Sequence, residues 1–327
     1  MSCFPNFSYF STSAFLTLSF HIITIISTPT YCFGFICILF KTPDQMRSVK
    51  WYMLVLQFWI AVFDYSVSFL VVPFMLIPEI AGIPNGILRD WGVPTSIQAV
   101  LMLMTFAYMG ISIISVYENR FYILCQFSGK KLWTMGRRLW LPAHYLLILV
   151  LLAPVFPLIP DQETAKKQVF KNLPCLPDSI YNGQVFVLTT NYTYYLCSAI
   201  PTILFFFTET GFFAFQIIQN GLKQRGSKTI SEKTYQLHRQ FFVAFGIQLI
   251  IPLIMIIAPI IYVYTSIFTG YSNQAANNLS LMTASTHGFV STVVMVVVHR
   301  PYRREILGMI GIRKKVIRSN VIVSMNS

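Results

Sequence analysis

Leu16 to Phe40 reads LTLSFHIITIISTPTYCFGFICILF, a run without Lys, Arg, Asp or Glu. A helix rising about 1.5 Å per residue crosses the hydrocarbon core of a bilayer in about 20 residues, so this stretch is long enough to span. Working outward, six more long apolar runs follow: Trp51 to Ile77, Thr95 to Tyr117, Leu139 to Ile159, Leu196 to Gln219, Phe241 to Tyr264 and Leu279 to Val298. None contains Lys or Arg. A soluble protein has no use for seven apolar runs of this length without a basic residue. The reading is an all-α, seven-transmembrane helix bundle.

The loop charges orient it. The loops after segments 1, 3 and 5 and the C-terminal stretch carry 3, 5, 5 and 7 Lys or Arg, which is 20 of the 24 in the chain. The other side carries only Arg89, Lys166, Lys167 and Lys171. Short positive loops stay cytoplasmic, which predicts the N-terminus outside and the C-terminus inside. The net charge of +13 is thus the positive-inside bias of a membrane protein rather than a nucleic-acid footprint. Charged residues make up only 11% of the chain, against about 25% in soluble domains, which leaves little for a separate soluble domain. We expect one seven-transmembrane domain over residues 1–318 and a short cytoplasmic tail over 319–327. The first 15 residues have no basic n-region, so segment 1 is expected to serve as its own insertion signal.

The outer side offers Asn6-Phe7-Ser8, a glycosylation sequon. Asn191 and Asn278 also head sequons but abut spans, where the transferase reaches poorly. Of six cysteines, Cys32, Cys37, Cys125 and Cys197 fall in or beside spans and read as packing residues. Cys3 and Cys175 lie in outer stretches and are candidates for a disulfide. The five histidines, His21, His144, His238, His287 and His299, are scattered without metal-ligand or triad spacing, which points away from an enzyme and from a bound metal or other cofactor.

Two carboxylates lie inside spans, Asp64 in segment 2 and Glu209 in segment 5. A charge at that depth is costly, so it faces the bundle interior and has a partner. Either residue can be a hydrogen-bonded packing group or a switch. Segment 7 carries Thr283, Thr286, His287 and Ser291 as a polar stripe at helical spacing, with Thr286, His287 and Ser291 candidate partners for Asp64. Prolines at 29, 73, 154, 201, 252 and 259 can kink their helices. Beyond segment 7, Ile306, Leu307, Ile310 and Ile317 alternate with basic residues and predict an amphipathic helix over about 302–318 on the inner leaflet.

Segment 3 ends in Glu118-Asn119-Arg120, which resembles the Glu/Asp-Arg-Tyr signature of G-protein-coupled receptors with Asn inserted. Alternatively, Arg120 is a snorkelling membrane anchor. With Phe40-Lys41-Thr42-Pro43 and Trp51 around the first inner loop, Leu173-Pro174-Cys175 in the second outer loop, and His299-Arg300-Pro301-Tyr302-Arg303 after segment 7, the chain resembles the nematode serpentine chemoreceptors of class H over essentially its whole length. That resemblance implies a plasma-membrane receptor of sensory neurons. It would bind a small extracellular molecule and activate a heterotrimeric G protein, with Glu118, Arg120, Pro301, Tyr302 and Arg303 at the coupling face. Asp64 also looks like the segment 2 aspartate that holds sodium in rhodopsin-like receptors, but the Asn-Pro-x-x-Tyr of segment 7 is missing. The ligand is not legible. A ligand-gated channel or a small-molecule transporter is the competing class; transporters tend to show repeats and broken helices, and no internal repeat is present.

Overall fold

The computed structural model describes residues 8–42, 47–174, 176–225, 232–299, 302–304 and 308. Its helices are α1 (Ser13–Lys41), α2 (Arg47–Tyr65), α3 (Ile87–Asp90), α4 (Thr95–Leu124), α5 (Lys130–Leu152), α6 (Gln162–Asn172), α7 (Asp178–Tyr181), α8 (Thr193–Arg225), α9 (Glu232–Thr269) and α10 (Gln274–Val298). Among the described residues six helical spans are long and apolar enough to cross a membrane, and α9 adds a shorter apolar stretch, Leu253–Thr269. The protein is the all-α bundle the apolar runs predict. Side-chain caps start two of the long helices: Thr12 Oγ1 accepts from Phe15 N (3.1 Å) and Asn273 Oδ1 from Ala276 N (3.1 Å).

α1 packs between α2 and α10, α2 packs on α4, and α4 sits centrally against α5 and α8. The buried core runs from Tyr31 and Cys37 of α1 through Met53 and Ile60 of α2 to Met109 and Val116 of α4 and Met295 of α10. The outward faces carry large apolar side chains such as Ile25, Leu146, Leu204 and Ile261, as lipid contact requires.

The second span ends earlier than its apolar run. The helix passes into a π-helical turn over Ser66–Val71 and stops. Val72 takes φ 46°, and Pro73 supplies no N–H. The orphaned carbonyls of Val71 and Val72 are taken instead by the Asn85 and Gly86 amides, at 2.9–3.1 Å. Pro73–Met75 is then strand β1 of an antiparallel sheet with β2 (Ala81–Pro84) and β3 (Phe186–Val187), in register Phe74↔Ile83 and Ala81↔Val187. Apolarity cannot separate a buried strand from the last turns of a helix, so Phe74, Leu76 and Ile77 read as span. This sheet caps one end of the bundle. Glu79, buried in the cap, accepts hydrogen bonds from Asn172 (2.9 Å) and Tyr192 (2.6 Å), which ties the α2–α4 connection to the long connection before α8.

The fourth membrane-crossing helix, α5, starts at Lys130, ahead of its apolar run, because the basic residues that flank a span are themselves good helix formers. It closes in a 3₁₀ turn, Ala153–Val155, at Pro154.

Candidate functional site

Asp64, two residues before the π turn, points into the seam where α1, α2, α4 and α10 meet. It is buried, as is His287 of α10. His287 Nδ1 lies 3.1 Å from Asp64 Oδ1, and Tyr31 of α1 donates its hydroxyl hydrogen to Asp64 Oδ2. His287 Nδ1 is also 2.7 Å from Ala284 O, so Ala284 O and Asp64 Oδ1 share one ring nitrogen. The other ring nitrogen is 3.0 Å from Met109 Sδ of α4. One imidazole thus touches the third membrane-crossing helix while its carboxylate partner is bonded to the first.

The backbone makes this convergence possible. A Cβ at Gly288 would overlap the Asp64 carboxylate, Ile60 and the Tyr31 hydroxyl, so only glycine lets α10 come this close. One turn further along, Gln57 Nε2 donates to Thr292 Oγ1 (2.8 Å), and a Cβ on Gly34 would sit 2.7 Å from Thr292 Cγ2. Along the α1–α2 seam Thr24 shares a hydrogen bond with Ser68 (2.8 Å) and Thr28 with Tyr65 (2.7 Å). Of the segment 7 stripe, His287 and Ser291 are buried, whereas Thr283 and Thr286 donate back to carbonyls of their own helix.

Glu209 stands apart from this cluster. It lies on α8 against α5, with Oε2 at 2.9 Å from His144 Nε2 and Oε1 accepting from Trp140 Nε1 at 3.3 Å. His144 Nδ1 is 2.8 Å from Trp140 O. The two membrane carboxylates serve different helix pairs.

At the end of the bundle opposite the sheet, Glu118 and Arg120 occupy the last turns of α4, both buried. Glu118 is bound from α5: Arg137 Nη2 at 2.7 Å and Trp133 Nε1 at 2.8 Å. The same Arg137 nitrogen reaches Tyr52 Oη (3.1 Å) and Asn119 Oδ1 (3.3 Å), and the guanidinium lies 4.1 Å from the Tyr122 ring centre. Asn119 Nδ2 donates to Ser48 O at the start of α2 (3.3 Å). Arg120 faces the other way, within electrostatic range of His299 and Tyr302. Tyr302 is fully buried and shares a hydrogen bond with Thr42 at the end of α1 (2.8 Å). Burial and the nearby Arg120 cation hold His299, just beyond α10, well below its ordinary range, near 4. Arg303 is exposed. Pro301, Asn6, Cys3 and Cys175 lie outside the described residues, as do residues 305–307 and 309–318 of the stretch 302–318.

Tyr31, Met109, Trp133, Arg137 and Gly288 complete these clusters and were not singled out from the sequence. Tyr31 carried a usable signal: a phenol in the middle of a span must find a hydrogen-bond partner. Arg137 carried none, since the positive-inside bias already accounts for a basic residue there.

Residues 11–312 match the family described as the serpentine type 7TM GPCR chemoreceptor Srh. The chain is also similar to Serpentine receptor class H-72 of Caenorhabditis elegans, 24% identical over 309 residues, covering 92% of this chain and 87% of that protein. A match over nearly the whole bundle, on a fold of membrane-spanning helices, makes this chain a member of the Srh family of serpentine seven-transmembrane chemoreceptors.

Proposed function

We propose that this receptor binds a small extracellular molecule and activates a heterotrimeric G protein through Arg120, acting with Glu118, Pro301, Tyr302 and Arg303. The observation that carries the reading is the divergence of Glu118 and Arg120. The acid is bound to α5, and the arginine lies buried beside His299 and Tyr302 at the basic end of the bundle. A buried arginine at that end becomes available to a partner only when its cover moves. The Asp64–His287–Tyr31 cluster, which joins α1, α2, α4 and α10, is the switch that biases this movement, and Glu209 with His144 acts as a second switch between α5 and α8. The capped end faces outward, and the receptor resides in the plasma membrane of sensory neurons.

The test is expression in a heterologous cell with a cAMP or calcium readout, screened against small odorant-like molecules. An active compound should raise the signal in cells carrying the native chain. Arg120→Ala should silence that response while surface abundance, read by biotinylation, stays near the native level. A compound that signals equally through Arg120→Ala would refute the coupling role.

A further inference from the structure

A groove of about 570 Å³ opens at the start of α5, within the range of pockets that hold small ligands. Its floor and walls are apolar and include Phe127, Leu132, Trp133, Met135, Gly136 and Leu139. Leu132, Met135 and Leu139 are 77%, 72% and 76% exposed. A Cβ on Gly136 would meet nothing within 4 Å, so the missing side chain is what leaves the middle of the groove open. The groove lies where the basic turns of α5 give way to its apolar run, which is the membrane boundary of this helix.

Lys131 and Arg138 are both exposed and stand seven residues apart on α5. That spacing puts them on one stripe, on the side of the groove formed by Met135. An apolar trough beside two cations is complementary to a lipid with a negative headgroup: acyl chain in the trough, phosphate on the basic stripe. A second copy of the chain fits less well. A symmetric contact across this face would bring its own Lys131 and Arg138 against themselves.

The groove also reaches the end cluster. Trp133 lines it, and the Trp133 indole N–H is the 2.8 Å donor to Glu118 Oε1. An occupant that shifts the indole changes one of the two donors that hold Glu118. We propose that this groove is a binding site for an anionic phospholipid of the bilayer, with Lys131 and Arg138 on the headgroup, and that its occupancy acts on the Glu118–Arg137 pair through Trp133. The effect on coupling rests on the receptor reading above; the occupancy of the groove does not.

The receptor is reconstituted in nanodiscs containing a dibrominated lipid, either phosphatidylglycerol or phosphatidylcholine, at equal mole fraction. Bromine quenches tryptophan at contact, and subtracting Trp133→Phe isolates Trp133 from Trp51, Trp59, Trp91 and Trp140. Two basic residues at the surface should favour the brominated anionic lipid on the order of tenfold. K131Q/R138Q should bring the two lipids to parity. Gly136→Leu fills the trough in open space, adds helix propensity, and should remove Trp133 quenching by both lipids. If Trp133→Phe fails to fold, phosphatidylglycerol adducts retained on the native receptor and lost on Gly136→Leu, read by native mass spectrometry, give the same answer. Equal quenching by both lipids in the native chain, or a preference that survives K131Q/R138Q, would mean ordinary annular lipid and would overturn the proposal. Parity on K131Q/R138Q with basal nucleotide exchange unchanged would keep the site and discard its link to Glu118.

Discussion

Glu118 and Arg137 meet at 2.7 Å across the α4–α5 seam, while Arg120, two residues beyond Glu118, looks toward His299 and Tyr302. Helix geometry requires the divergence. Residues two apart are separated by about 200° around the axis and cannot pair with each other. The inserted Asn119 therefore does more than lengthen a motif. It turns the acid onto α5, leaves the arginine facing the end of α10, and itself bonds Ser48 at the start of α2.

The Glu118–Arg137 pair should be measurable as a coupling. Glu118→Gln and Arg137→Gln each should lower thermal stability in detergent and raise basal G-protein activation. The double variant should lose less than the two single losses together, with a coupling of about 0.5 to 3 kcal/mol. Simple additivity would mean that the pair contributes nothing to the resting state.

Asp64 is the centre of the membrane cluster, and its variants should change signalling more than abundance. Asp64→Asn keeps the shape and removes the charge. Tyr31→Phe removes one donor to the carboxylate. We expect both to shift basal or ligand-evoked response in the same direction, with surface levels within about twofold of native, equivalent to less than about 0.5 kcal/mol. Normal signalling by Asp64→Asn and Asp64→Leu together would reduce the residue to packing.

Gly288→Ala is a sharper probe of the same seam. The added methyl overlaps Asp64, Ile60 and the Tyr31 hydroxyl, so α10 must move away from α1 and α2. Overpacking of this kind costs about 1 to 3 kcal/mol, and the melting temperature should fall accordingly. Gly136→Ala on α5, where nothing lies within 4 Å, is the control and should melt no lower than native.

Orientation follows from the loop charges alone and is open to a direct check. An epitope at the N-terminus should stain on intact cells and one at the C-terminus only after permeabilisation. The reverse pattern would eliminate the receptor reading, since Arg120 would then face the outside.

What the sequence by itself determined is the part governed by the bilayer. Apolar runs of 20 or more residues without Lys or Arg read as spans, and the charge of their connections predicts an orientation, because both effects are additive along the chain. That reasoning also found Asp64, since a carboxylate in hydrocarbon needs a partner wherever the fold brings one. Only the tertiary structure could decide which partner. Asp64 meets His287 and Tyr31 because Gly288 and Gly34 let α10 and α1 approach, and Glu209 meets His144 instead because α8 packs outside α4. The end of the second span was likewise a tertiary matter. Phe74 to Ile77 are apolar enough for a helix, but Pro73 breaks the ladder and a strand from more than 100 residues later completes the sheet. Contacts of that sequence separation depend on where helices cross, which local pattern does not encode.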